Sequence, residues 1–318
     1  MVSLTLTKML LMILFRSFYN KGMIKAFTYH DIRDPQHSGH PRRLELRSFA
    51  STTQFKFQLK FITENYTVIE PQHLKENLKE DCAILTFDDG LKDHYWVAEI
   101  LDEAKLKATF LIPTLAIRDR KVIKAHKIQF ILATISEKKV VENIFDLTGS
   151  DPYERDALWN TFSVSHRPNN WWSKEMVFVT NFLRRHDEGD MITDKLFVKF
   201  ISKDEKDFCS DFYLTPVEVG YMAKCGMIIG GHGYRSTDLA RSKSQEEEIK
   251  ESLLYAASFS APPLSFSYPQ GSYDDDTVSC VKTYNCEFAY TTRAENITPD
   301  TNLLKIPRFD APQTLPLS

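Results

Sequence analysis

The sequence predicts an α/β fold built on a parallel β-sheet. Short apolar segments typical of buried strands alternate with segments of helical periodicity along much of the 318-residue chain, which favours a parallel sheet over a meander. Three apolar segments end in polar or glycine-containing motifs at residues 88–90, 232–238 and 268–274. Because functional groups gather at the carboxyl ends of parallel strands, we expect these motifs to share one site.

The predicted elements follow one another at the spacing of βα units. The first half contains a strand over 24–29, a helix near 52–64, a strand near 66–69, a short helix that begins at Pro71, a strand that ends at Asp88, a helix over 93–106 and a strand over 108–112. Further short strands precede residues 232 and 268. A chain of this length and apolar content can bury one large core, so we expect one domain over 23–318.

Residues 115–213 separate two of these strands by far more than one βα unit needs. A helix capped by Ser173 and continuing through Leu183 is expected there, so we interpret the stretch as a mostly helical insertion. Its tryptophans are Trp159, Trp171 and Trp172. They either pack the insertion onto the rest of the fold or stack on a bound ligand, and packing is the preferred interpretation.

The first 22 residues are expected to form an N-terminal extension. Residues 9–15 (MLLMILF) resemble the apolar centre of a signal peptide, but the segment is shorter than the ~20 apolar residues that span a bilayer. No small-residue cleavage pattern follows it. A loosely packed helix or an upstream start is therefore preferred, and contact with a membrane is the alternative.

Composition indicates which binding partners and which cellular compartment to expect. A net charge of −3 and the lack of a Lys/Arg-rich block argue against nucleic acid. The five cysteines are odd in number and lack Cys-x-x-Cys spacing, which indicates reduced thiols. We therefore expect a cytoplasmic protein, with export or membrane association as the alternative.

Asp88 and Asp89 are the most informative residues. Two adjacent ionised carboxylates repel each other, so a site that keeps both charged supplies a cation, and one that keeps a proton uses it in acid–base chemistry. A polar turn would explain the pair equally well in isolation. His232 after one strand and the Pro/Gly turn over 268–271 after another favour a functional site.

These residues resemble the polysaccharide deacetylase family, which carries the NodB homology domain and is also named carbohydrate esterase family 4. The family motif Thr-Phe-Asp-Asp-Gly is complete at 86–90, residues 266–273 are similar to a later motif, and residues 27–32 (FTYHDI) are similar to the strand that opens many members. The resemblance extends from about residue 24 to about 310. It implies a distorted (β/α) barrel.

The resemblance implies a metal-dependent hydrolase that removes an N-acetyl group from an amino sugar or an amino-sugar glycan. It assigns Asp88 as the catalytic base, and Asp89 and His232 as ligands of a divalent metal, most often zinc. In that family the metal polarises the acetamide carbonyl and acidifies water. The turn that contains Tyr268, Gln270 and Gly271 would bind substrate or hold the oxyanion through a backbone N–H.

The sequence departs from the family pattern at three places. Ser236 stands at the last position of the second motif, His-x-x-x-His, and a hydroxyl is a poor zinc ligand. Ser267 stands where the third motif usually has an arginine that orients the base. No histidine follows His232, so the general acid of the last motif has no counterpart.

The missing imidazole has three explanations. His30, His94 or His126 replaces it as a ligand. Alternatively, Asp89, His232 and water hold a cation harder than zinc. In the third explanation the protein binds a sugar without hydrolysing it.

Arg308, near the end of the last apolar segment, is the candidate for the missing arginine. Its guanidinium can pair with Asp88 or Asp310 and supply the orientation that Ser267 cannot. An ordinary arginine on the surface of the protein is an equally good interpretation of Arg308. Removal of a formyl group, which also breaks a linear C–N bond, is the alternative reaction for the whole site.

Overall fold

The computed structural model describes residues 22–34, 49–164 and 172–317. The strands are β1 (Ile24–Tyr29), β2 (Asp31–Ile32), β3 (Phe49–Ala50), β4 (Thr67–Val68), β5 (Cys82–Asp88), β6 (Thr109–Ile112), β7 (Ile228–Gly231), β8 (Leu264–Ser267), β9 (Cys286–Tyr290) and β10 (Phe309–Asp310). The predicted extension over 1–22 lies outside the described residues except for its last residue, and Trp171 also lies outside them.

Helices connect most of the strands. They are α1 (Thr52–Asn65), α2 (Asp93–Glu103), α3 (Thr114–Ile117), α4 (Lys124–Thr134), α5 (Glu137–Thr148), α6 (Pro152–Phe162), α7 (Lys174–Arg185), α8 (Gly189–Phe200), α9 (Glu205–Phe212), α10 (Pro216–Lys224), α11 (Gln245–Ala256), α12 (Asp275–Thr283) and α13 (Ala311–Thr314). Within the described ranges, no helix has the length and hydropathy that crossing a membrane requires.

The main sheet is curled, and the pairings between its described strands are parallel. Its order is β10-β1-β5-β6-β7-β8-β9, with β4 beside the beginning of β5. After β9 the chain returns so that Ile306 bridges Tyr290, and β10 then pairs with β1, where Phe309 faces Phe27. This return brings the two sides of the sheet together. The predicted distorted (β/α) barrel is confirmed.

β5 lies inside the sheet between β1 and β6, and its seven residues are buried. A parallel strand covered on both faces needs a continuous apolar run, which the sequence CAILTF supplies. Phe87 stacks on Tyr29 and on Phe110, with ring centroids 5.5 and 4.7 Å apart. This packing fixes the position of Asp88 at the carboxyl end of the strand.

The connection between β6 and β7 is helical, as predicted. The expected helix after Ser173 is α7, and the Ser173 hydroxyl accepts a hydrogen bond from the Met176 N–H at 3.0 Å. Phe178 on α7 is fully buried, and its ring stacks on Trp159 and Phe182 at 5.1 and 5.7 Å. Trp159 therefore packs within the insertion. The outer boundaries of the insertion, 115–213, stay a prediction.

The insertion returns to the barrel beside the end of β5. We call residues 88–92 the Asp-Asp loop and residues 212–214 the exit segment. The Lys92 N–H donates to the Phe212 carbonyl, and the Leu214 N–H donates to the Gly90 carbonyl, each at 2.9 Å. The two segments thus form a short antiparallel ladder. The position of the insertion is coupled to the position of the Asp-Asp loop.

We expect Phe178→Ala to lower the free energy of unfolding by about 3–5 kcal/mol, because it removes a buried ring and leaves a cavity. Denaturant unfolding followed by circular dichroism measures the change. Tyr153→Ala is the control, because this aromatic side chain on α6 is 84% exposed, and it should cost less than about 0.5 kcal/mol. Equal losses from the two substitutions would contradict the assigned core.

Candidate active site

The Asp-Asp loop makes a left-handed turn where β5 ends. Asp89 and Gly90 have φ angles of 78° and 59°, a region that is costly for residues other than glycine and that often occurs at functional sites. A Cβ atom at position 90 would lie 3.0 Å from Ile117 Cδ1, so this turn also needs glycine for space. The neighbouring carboxylates of Asp88 and Asp89 consequently reach different partners.

Arg308 holds the Asp88 carboxylate in a bidentate ion pair. Its Nη1 and Nη2 donate to Oδ1 and Oδ2 at 2.7 and 2.8 Å, and both side chains are buried. Nη2 also donates to Ser267 Oγ at 2.7 Å, and that hydroxyl donates to Asp88 Oδ2 at 3.1 Å. The Thr86 hydroxyl and the Thr291 carbonyl accept the other guanidinium hydrogen bonds at 3.0 and 3.1 Å. The carboxylate is therefore rigidly oriented.

This ion pair keeps Asp88 charged. Burial by itself would raise the pKa of Asp88, but the guanidinium of Arg308 and the imidazole of His232 outweigh burial and lower the pKa to about 2. Asp88 and Asp310 are the two predicted partners of Arg308, and the guanidinium pairs with Asp88. Arg308 and Ser267 act on this carboxylate together, although the serine stands where the family pattern has its arginine.

Two imidazoles face the second carboxylate. His126 Nε2 lies 3.3 Å from Asp89 Oδ2, and His232 Nε2 lies 3.4 Å from Asp89 Oδ1. His126 belongs to α4 in the insertion, and His232 follows β7. Burial would raise the pKa of Asp89, but these two imidazoles hold it well below its usual range. Of the three histidines proposed as replacements, His126 is the one whose imidazole contacts Asp89.

A hydrogen bond on the far side of the ring sets the tautomer of His232. Its Nδ1 lies 3.0 Å from the Ser267 carbonyl oxygen, which can only accept, so Nδ1 carries the proton. In the neutral ring the lone pair of Nε2 then faces Asp89. This is the arrangement typical of a metal-binding histidine, whose other nitrogen donates to a carbonyl or carboxylate.

The donor set has the chemistry that a divalent cation requires. The separations of 3.3 and 3.4 Å are longer than a charge-assisted hydrogen bond of about 2.7–2.9 Å. The imidazoles face different oxygens of Asp89, and the described residues contain no cluster of three or more His, Cys, Asp or Glu side chains already arranged to hold a metal. The residue types fit, whereas a convergent ligand geometry is not present.

The local field also favours positive charge. Burial lowers the pKa of His232, but Asp88 and Asp89 more than offset burial and raise it. Two carboxylates that retain a proton on a buried imidazole can instead stabilise a cation at the same place.

The other two candidate histidines have different environments. His94 is fully buried, its ring centroid lies 5.6 Å from that of Phe87, and its Nε2 donates to the His30 carbonyl at 2.9 Å. Burial lowers the pKa of His94 to about 4, so this ring is neutral. His30 follows β1 and is half-buried; its charge lowers the pKa of Asp88 and opposes the rise that burial causes in Asp310. His94 therefore supports the backbone of His30.

The predicted oxyanion turn presents its backbone rather than its tyrosine. The Tyr268 hydroxyl donates to the Leu304 carbonyl at 2.8 Å, so this side chain points into the core. The N–H groups of Tyr268 and Gly271 donate to the carbonyls of Tyr290 and Tyr268 at 3.1 and 2.9 Å. Pro269 has no N–H, so the backbone N–H of Gln270 is the other donor of the turn. Gln270 has a φ of 59° and an exposed side chain.

Comparison with solved structures identifies the fold. The polysaccharide deacetylase BC0361 from Bacillus cereus matches with a TM-score of 0.55 and 17% identity, over 93% of this chain and 66% of that protein. The deacetylase PplD from Streptococcus pyogenes, solved in complex with acetate, matches with a TM-score of 0.54 and 17% identity, over 91% of this chain and 92% of PplD. IcaB from Ammonifex degensii matches with a TM-score of 0.52 and 14% identity, over 91% of this chain and 91% of IcaB.

At these identities the likeness establishes a shared fold. This chain spans 66% of the length of BC0361, so that protein has a part with no counterpart here. No family model matches the sequence, and no curated protein matches it.

Sequence reasoning missed the residues that surround the candidate ligands. Tyr213, whose hydroxyl lies 2.7 Å from His126 Nδ1, stands in an apolar stretch at the end of the insertion and carries no motif. Thr86 and Thr291 look like ordinary strand residues. The one available signal was position, since Thr86 precedes Asp88 by two and so faces the same side of its strand.

We expect Arg308→Gln to lower the free energy of unfolding by about 3–5 kcal/mol at pH 7, because it leaves the Asp88 carboxylate buried without its cation. Denaturant unfolding measures this loss. The double variant Asp88→Asn/Arg308→Gln removes the buried charge and should recover part of it; no recovery would contradict the explanation. Lys60→Gln, which breaks an exposed pair with Glu64 at 3.8 Å, is the surface control and should cost under about 1 kcal/mol.

Proposed function

We propose that this protein is a metal-dependent hydrolase that removes an N-acetyl group from an amino sugar or an amino-sugar glycan. The observation that carries the proposal is the pairing of an oriented, ionised carboxylate, Asp88, with an adjacent carboxylate that faces two imidazoles. The deacetylases that share its fold support the class of substrate. Metal dependence rests on the residues of this chain alone.

Asp89, His126 and His232 would hold the divalent cation. One carboxylate and two imidazoles form a donor set that zinc accepts, with further positions for water or substrate. When bound, such an ion polarises an amide carbonyl and acidifies water. His126 would supply the imidazole that Ser236 cannot.

Asp88 would accept the proton of the attacking water. A carboxylate has about four lone-pair sites, so the two guanidinium hydrogen bonds and the Ser267 hydroxyl leave it one position for this proton. Arg308 fixes the direction of the carboxylate, which makes it a positioning residue. Its charge also keeps Asp88 deprotonated at neutral pH, as a base must be.

The remaining groups would act on the substrate amide. The Gln270 N–H can stabilise the developing oxyanion. The amine leaving group needs a proton, and the half-buried imidazole of His30 lies on the Asp88 side of the site. We assign His30 as the donor of that proton, because no histidine follows His232 in the sequence to take the role.

The insertion would contribute to substrate binding at the edge of the site. Arg184 on α7 donates to the exposed Gln270 side chain at 3.0 Å, so the insertion reaches the turn that carries the oxyanion donor. Asp89, His30 and Gln270 retain exposure on this side of the barrel. A sugar would enter between the insertion and the β8 end of the barrel.

Two features of the cell biology stay proposals. We propose a cytoplasmic protein with reduced thiols, and the five cysteines are unpaired. Contact with a membrane would depend on residues 9–15, outside the described chain.

We expect Asp88→Asn to abolish release of acetate while the protein retains its metal, because the substitution removes the base and keeps the neighbouring Asp89. Acetate release from chitooligosaccharides and metal content after dialysis are the two measurements. Full activity in this variant would refute the assigned base. An N-formyl substrate assayed in parallel separates the two reactions: faster release of formate than of acetate would favour the deformylase.

We expect His126→Ala, His232→Ala and Asp89→Asn each to lose the metal, because each removes a proposed ligand. Elemental analysis after dialysis against zinc-containing and then zinc-free buffer measures this. His73→Ala is the matched control, since His73 lies in a short 3-10 helix after β4, the strand that pairs with the first residues of β5. Wild-type protein that retains no zinc, cobalt or manganese would favour a sugar-binding protein without catalysis.

A further inference from the structure

We propose that Tyr213 is a positioning residue that sets the tautomer and orientation of His126, and thereby allows a histidine of the insertion to serve as a metal ligand. This inference rests on the proposed function, because it concerns one ligand of the proposed cation. It adds a residue for which the sequence motifs have no place.

Tyr213 fixes the His126 ring from two directions. Its hydroxyl oxygen lies 2.7 Å from His126 Nδ1, and both side chains are buried. The neighbouring Phe212 packs edge-on against the same imidazole, with ring centroids 5.1 Å apart and an interplanar angle of 89°. The imidazole therefore has a fixed plane, with Nδ1 toward Tyr213 and Nε2 toward Asp89.

The hydroxyl can satisfy the tautomer that metal binding demands. For Nε2 to offer a lone pair to a cation, Nδ1 must carry the proton and donate it. The Tyr213 oxygen can accept this hydrogen bond and also the one from the Ile123 N–H, which lies 3.3 Å away. Tyr213 thus does for His126 what the Ser267 carbonyl does for His232.

The same residue is tied to the other side of the site. Tyr213 lies in the exit segment, whose Leu214 N–H donates to Gly90 of the Asp-Asp loop. Ile123, whose N–H reaches the Tyr213 hydroxyl, is the residue before α4, the helix that carries His126. Tyr213 therefore connects the helix of one proposed ligand, His126, to the loop that carries another, Asp89.

Removal of the hydroxyl tests this role through metal affinity. In Tyr213→Phe the buried Nδ1–H loses its acceptor, so we expect zinc to bind about 10- to 100-fold more weakly. Competition with a chromophoric chelator measures the dissociation constant for zinc, and titration with cobalt(II) reports on coordination through its visible absorption. Tyr29→Phe is the matched control, because it removes another fully buried hydroxyl, one that donates to Gln58, and should leave both readouts unchanged.

A double-mutant cycle separates positioning from a general structural effect. His126→Ala should lose its zinc on dialysis but keep Asp89 and His232, so its weak residual affinity is measured by direct zinc titration. If Tyr213 acts through His126, Tyr213→Phe should weaken zinc binding in the wild type and leave this residual affinity unchanged. Equal weakening in both backgrounds, or zinc affinity equal to wild type in Tyr213→Phe, would overturn the inference and leave the proposed function standing. A wild-type protein that binds neither zinc nor cobalt would overturn both.

Discussion

Two adjacent carboxylates at the end of a buried strand each need a separate positive partner, and the rest of the site is arranged around that requirement. Removing a carboxylate from water is costly unless a charge or several hydrogen bonds compensate. Asp88 is compensated by the guanidinium of Arg308, and Asp89 by two imidazoles. The left-handed conformation at Asp89 and Gly90 allows neighbours in sequence to turn to different partners.

These partners come from places that the family pattern does not indicate. Ser267 and Ser236 stand where the pattern has an arginine and a histidine. In the structure Arg308, the residue before β10, pairs with Asp88, and His126 in the insertion lies beside Asp89. Ion pairing and ligation require a chemical group at a point in space, and several chain positions can deliver it. Under the proposed function, Arg308 and His126 would compensate for the two residues that the sequence pattern lacks.

Elements whose pattern is local could be predicted from the sequence. β1, β5 and α7 follow directly from apolar runs and from the Ser173 cap, although α2 ends at Glu103 and not at 106. The parallel order of strands follows from their alternation with helices. Residues 1–21 and Trp171 lie outside the described chain, so the expectations about them stay predictions.

The site was predictable as far as its motifs extend. Asp88, Asp89 and His232 lie at strand ends. That His126 contacts Asp89, and that His30 and His94 do not, depends on how a helix of the insertion lies beside the Asp-Asp loop, which local sequence does not encode. The turn at 268–271 was found by its Pro/Gly pattern, but the burial of the Tyr268 hydroxyl was not, since its acceptor belongs to Leu304, 36 residues away. Contacts between distant segments were thus the part that sequence left open.

The ion pair between Asp88 and Arg308 joins residues 220 positions apart in the chain. It forms only when the segment after β9 has returned to β1 and brought the two sides of the sheet together. Until then Asp88 has neither its orientation nor its compensating charge, so the proposed base would be complete only in a chain whose sheet has closed. Under the proposed function, a molecule that has not closed this contact would have no oriented base and could not act on substrate.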